Sequence, residues 1–140
     1  MKTRFKSLFF LLVLTFSLNG QILELSPAFP TVNDVVTIVY DASQGNAALL
    51  GVNQVYCHAG LITSTSTSPT NWQYVQGNWG QADPQVQMTN LGNNKHSITI
   101  NIATFYGFPV NTNVLKLAFV FRNQAGTTVG RAADGSDIYY

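Results

Sequence analysis

Charge is the scarcest commodity in this sequence. Asp, Glu, Lys and Arg together make up 9% of it, and three of its seven basic residues, Lys2, Arg4 and Lys6, fall within the first six positions. Removing those three leaves Lys95, Lys116, Arg122 and Arg131 against six acids, a net charge near −2 for the remainder. Four scattered cations cannot build a phosphate-neutralising patch, so nucleic acid is excluded as a partner. Cysteine is almost absent as well. Cys57 stands alone, which rules out an internal disulfide and leaves packing and strand pairing to hold the fold. Its place on an apolar strand, with no base beside it in sequence, reads as a buried structural thiol.

Carboxylates are equally few. Glycosidic hydrolysis needs two of them flanking the bond, roughly 5–10 Å apart, and beyond the N-terminal segment there are only Glu24, Asp34, Asp41, Asp83, Asp134 and Asp137. Most sit at expected turns, where Asp caps the backbone, so the chain is expected to be non-catalytic. Asp134-Gly135-Ser136-Asp137 has the oxygen-rich look of a calcium loop but lacks the ligand count of an EF-hand, and a turn is the favoured reading. His58 and His96 are too far apart for a zinc site without acidic helpers, and nothing calls for a metal or cofactor.

What is present divides in two. Residues 1–20 read as a secretory signal peptide: a basic start, then the apolar run 8–16 broken by Thr15 alone, with cleavage expected near Gly20 and Gln21. The run is too short for a membrane-spanning helix, which needs about 20 apolar residues, so export to the cell surface or medium is expected, with no membrane span after cleavage. Residues 21–140 are one domain's worth of chain. Its apolar runs and low charge oppose disorder, and its surface must be kept wet by Asn, Gln, Ser and Thr.

Within 21–140 the apolar residues alternate, β-branched and aromatic types dominate, and Gly, Pro and Asn punctuate, which is the signature of strands. Strands are expected at 22–26, 35–40, 55–62, 72–76, 86–89, 95–102, 114–121 and 127–131, followed by a last short one. No helix is expected. Gly92-Asn93-Asn94 supplies the positive φ of a hairpin turn between 86–89 and 95–102. Ile98, Ile100 and Ile102 should be buried, with Ser97, Thr99 and Asn101 wet, and in 114–121 Leu115, Leu117, Phe119 and Phe121 should lie on the face opposite Lys116, Ala118 and Val120. In 55–62, Val55, Cys57 and Ala59 should face the core, and Tyr56, His58 and Gly60 the other side. This many short strands fits an all-β, immunoglobulin-like sandwich of two antiparallel sheets.

Aromatics carry the functional signal. Trp72 and Tyr74 are two apart and in an extended segment share a face at about 6–7 Å, and Trp79 follows after Gly77 and Asn78. Flat rings beside glycines, amides and a Ser/Thr loop make a stacking platform for the CH faces of sugars. Tyr56 and His58, on the outer face of the third strand, are candidates to join it. The competing view treats both tryptophans as core plugs and the domain as a structural or protein-interaction module.

The segments Val55-Tyr56-Cys57-His58-Ala59-Gly60, Asn71-Trp72-Gln73-Tyr74-Val75, Asn78-Trp79-Gly80 and Leu117-Ala118-Phe119-Val120-Phe121-Arg122-Asn123 together resemble the N-terminal β-sandwich module found ahead of the catalytic domain in secreted α-amylase-family proteins of Gram-negative bacteria. Pro27-Ala28-Phe29-Pro30-Thr31, Val36-Thr37-Ile38 and Gly135-Ser136-Asp137-Ile138 fit the same template. The resemblance implies a starch-binding-like role toward α-glucan or another polysaccharide, served by His58, Trp72, Tyr74 and Trp79. It also implies a covalently linked catalytic domain as partner, the parent then being a glycoside hydrolase. Cys57 departs from the small residue expected at its position, and the sequence up to Tyr140 reads either as a sandwich closed by its last strand or as the first module of a longer parent.

Overall fold

A computed structural model describes residues 20–140; the expected signal peptide lies outside the described residues, except for Gly20. Among the described residues, nine strands form two antiparallel sheets packed face to face. The first sheet runs in the order β1 (Leu23–Ser26), β2 (Val35–Asp41), β6 (Lys95–Asn101), β5 (Thr89–Gly92). The second runs β4 (Gln73–Gln76), β3 (Tyr56–Thr63), β7 (Val114–Arg122), β8 (Val129–Gly130), with β9 (Ile138–Tyr139) also paired to β7. The all-β sandwich read from the alternation is therefore the fold.

The core fills the space between the sheets. Val36, Ile38 and Tyr40 of β2 meet Cys57, Ala59 and Leu61 of β3 and Leu117, Phe119 and Phe121 of β7. Cross-strand pairing sets small residues against large ones: Cys57 lies opposite Phe121 and Ala59 opposite Phe119, and Tyr40 stacks on Phe121 with ring centroids 3.9 Å apart. Filling the layer with interdigitated aromatics in this way contributes about 2–3 kcal/mol per buried ring. Cys57 is a buried free thiol, pushed up to about 12 by that burial.

Three local expectations need correction. Ile102 does not end β6; it opens a five-residue helix, α1 (Ile102–Tyr106), capped by the Asn101 side chain, which accepts from the Thr104 N–H, and by Gly107 at φ +66. Ile102 is nonetheless buried, because the helix folds its apolar side back under the sandwich. β5 begins at Thr89, later than expected, although the hairpin into β6 forms. Val86 and Met88 instead pair with the start of β3, where the Cys57 N–H donates to the Val86 carbonyl at 2.8 Å and the Met88 N–H to the Val55 carbonyl at 2.9 Å. Finally, Leu115 is a bulge residue in β7 and is exposed, outside the buried row of 117, 119 and 121.

Candidate functional site

The outer face of the β3–β7 pair is not bare. Its rows are Tyr56 with Arg122, His58 with Val120, and Gly60 with Ala118, and a second layer of side chains from flanking loops covers much of it. Trp72, preceding β4, lies over Gly60 so closely that a Cβ there would sit 2.9 Å from the indole Cε3. Only glycine lets the indole down onto the strand. The His58 ring then lies between the two indoles, 6.1 Å from Trp72 with near-parallel planes and 5.1 Å from Trp79 edge to face.

Trp79 is held by two clamps. From inside its own loop, the Asp83 carboxylate accepts from the Asn78 N–H at 2.9 Å, the Asn78 side-chain amide at 3.0 Å and the Gln85 N–H at 3.0 Å. The Asn78 N–H, before the other donors, holds the Asp83 carboxyl below its ordinary range. From beneath, Arg122 is fully buried and donates to four carbonyls: Asn123 at 3.1 Å, Gln124 at 2.9 Å, Asn78 at 2.6 Å and Gln81 at 3.0 Å. Its guanidinium also lies over the rings of Tyr56 at 4.9 Å and Trp79 at 5.7 Å. A buried cation requires such partners, and here they come from the 78–81 and 123–124 loops, so one side chain ties both loops to β7.

The result is a concavity of about 390 Å³ whose floor is His58 and Val120. Trp72 and Val75 flank it on the β4 side, Trp79 overhangs it, and Arg131 and Asp137 close it on the side of β8 and β9. Thr70 and Asn71 complete the rim. Trp79 keeps 46% of its surface exposed and Trp72 is half-buried. Burial, opposed by the nearby Gly77 backbone and reinforced by the Arg122 charge, holds the His58 imidazole below its ordinary pKa, which leaves a neutral ring in the floor at neutral pH.

The residues expected to form the platform divide accordingly. His58, Trp72 and Trp79 are brought together. Tyr56 is not available: it is 1% exposed, sandwiched beneath Arg122, because its strand face is roofed by the loops. Tyr74 is exposed but does not share a face with Trp72. β4 carries a bulge, with Ala59 paired to Gln76 and Leu61 to Gln73, and Tyr74 takes φ +52 within it. One extra residue reverses the alternation beyond that point. Val75 therefore joins Trp72 at the concavity, while Tyr74 packs edge-on against Phe108 at 6.1 Å.

Sequence reading missed Arg122, Arg131 and the role of Asp137. Arg131 and Asp137 flank a tight turn in which the Asp134 side chain accepts from the Ser136 N–H at 2.9 Å and the Gly135 N–H donates to the Ala132 carbonyl at 2.9 Å. The Gly135 turn was the available signal that the two ends meet. Asp134 thus serves the turn, as expected of it.

Fold and site together define a β-sandwich module with an aromatic concavity on the outer face of one sheet. The chain belongs to the DUF8578 family, a domain of unknown function, whose profile matches residues 23–129. That span includes His58, Trp72, Trp79 and Arg122 and stops short of Arg131 and Asp137. No curated protein matches the chain.

Proposed function

We propose that this chain is a non-catalytic carbohydrate-binding module that holds α-glucan in the His58, Trp72 and Trp79 concavity, as part of an exported glycan-degrading system. The observation that carries this reading is the pairing of an exposed indole with a half-buried one around a neutral imidazole, beside amide, hydroxyl and charged hydrogen-bonding groups. Sugars offer apolar CH faces and polar edges, and this arrangement meets both. The resemblance to the modules of secreted α-amylase-family proteins supports the choice of glucan, and the basic and apolar start of the sequence supports export.

Tryptophan fluorescence of the mature chain, titrated with maltohexaose, tests the reading. A saturable change is expected for the wild type and is lost in Trp79→Ala; a flat titration of a folded wild type counts against it. Affinity should be modest, since an open concavity covers only part of a flexible sugar.

A second reading is favoured by a different feature. Phe29, 93% exposed, lies with Val32, Val114, Leu115 and Tyr140 around an apolar cleft at one end of the sandwich. On that reading the domain is a structural or protein-interaction module, Trp72 merely seals Gly60, and Trp72→Ala lowers stability with no binding defect to measure.

A further inference from the structure

Arg131 and Asp137 form an ion pair on the flank of the concavity across from Trp72. The pair is fixed from several sides. The Arg131 N–H donates to the Asn46 side-chain carbonyl at 3.1 Å, and the Arg131 carbonyl accepts from the Asn46 N–H at 3.0 Å. On the other side the Tyr139 hydroxyl lies 3.5 Å from Asp137 Oδ2 and donates to the Pro69 carbonyl at 2.8 Å. Among the described residues, Asp137 is the one protein partner of the Arg131 side chain, which is 35% exposed. Its remaining N–H groups face solvent and the concavity, next to carboxylate lone pairs.

The electrostatics of this wall are those of a neutral dipole. The other cation near the floor, Arg122, is fully buried and spends both Nη groups on four carbonyls, and Asp83 is occupied with the Asn78 loop. A guanidinium donor and a carboxylate acceptor side by side match two neighbouring hydroxyls, one accepting and one donating, and each such charge-assisted bond is stronger than a neutral one. A bare guanidinium in the same place would instead draw a sugar carboxylate. Asp137 cancels that attraction.

We infer that the Arg131–Asp137 pair is the specificity determinant of this concavity, selecting uncharged sugars with two adjacent free hydroxyl groups over acidic sugars. The inference rests on the glycan reading of the site and adds to it which residues choose the sugar.

Calorimetric titration of the mature chain with maltohexaose and with trigalacturonate tests it. The wild type should bind maltohexaose and not trigalacturonate. Asp137→Asn preserves the shape of the side chain and uncovers the guanidinium; it should weaken maltohexaose about tenfold and bring measurable trigalacturonate binding. Arg131→Gln, should the first variant misfold by circular dichroism, should also lose about tenfold toward maltohexaose but stay blind to trigalacturonate. Wild-type maltohexaose affinity in both variants, with no gain of the acidic sugar, would overturn the specificity claim while leaving the glycan site standing. A wild type that binds neither sugar overturns both.

Discussion

Trp79 keeps nearly half its surface in solvent although its indole sits in a tightly fitted seat: a Cβ on Gly126 would lie 2.5 Å from its Nε1. An exposed aromatic held this firmly has its rotamer entropy already spent before a ligand arrives, which favours binding. Trp79→Ala should therefore weaken maltohexaose about fivefold or more while lowering stability by only about 1–2 kcal/mol, since half of the ring was never buried; titration and urea unfolding of the same sample separate the two. Arg122 is the opposite case. Replacing it with Met removes donors from four carbonyls at once and should cost on the order of 3 kcal/mol, and it should also blunt binding by freeing the Trp79 loop. Histidine sets the pH response: burial lowers the pKa of both His58 and His96, so the native state favours the neutral rings. Their contribution is full above the unfolded pKa, near 6.5, and is lost as pH falls through the lower folded values. The melting temperature should drop between pH 7.5 and pH 5.5, before carboxylates titrate, and a flat profile over that window would contradict the burial argument.

At the scale of elements, β4 decides which aromatics can act together. Its bulge turns Tyr74 toward Phe108 and Val75 toward the concavity, so Tyr74→Ala should leave maltohexaose affinity within about twofold of wild type while costing about 1–2 kcal/mol in stability. Gly60→Ala acts the other way. The added methyl meets Trp72 at 2.9 Å, so the variant should lose about 1–3 kcal/mol through overpacking and weaken binding as the indole is displaced. These elements also mark the limit of what the sequence reveals. Period-two alternation made the long strands legible, down to Val55, Cys57 and Ala59 facing the core, because burial on one face leaves a direct imprint on residue type. A bulge leaves none: Trp72 and Tyr74 look like partners until the insertion of one residue reverses them. The helix Ile102–Tyr106 was hidden because its first residue continues the Ile98 and Ile100 alternation, though Asn101 and Gly107 are serviceable caps. Arg122 escaped notice because its role depends on carbonyls 41 and 44 residues away, a relation that no local pattern carries.

The whole molecule separates support from recognition. The space between the sheets is filled by aliphatic and aromatic side chains and carries the stability, whereas the concavity lies outside it, on the back of β3 and β7, where His58 and Val120 can face a ligand without opening the core. On the proposed glycan reading, this division lets a surface loop such as 78–81 change its ligand contacts at little cost to the fold. Because the chain has only two tryptophans, its ¹H–¹⁵N NMR spectrum holds just two indole signals, and both belong to this site. Adding maltohexaose to ¹⁵N-labelled residues 21–140 should shift the Trp79 indole signal most and the Trp72 signal with it, along one saturable curve. Two stationary indole signals at millimolar sugar, from a spectrum that is otherwise well dispersed, would contradict the account.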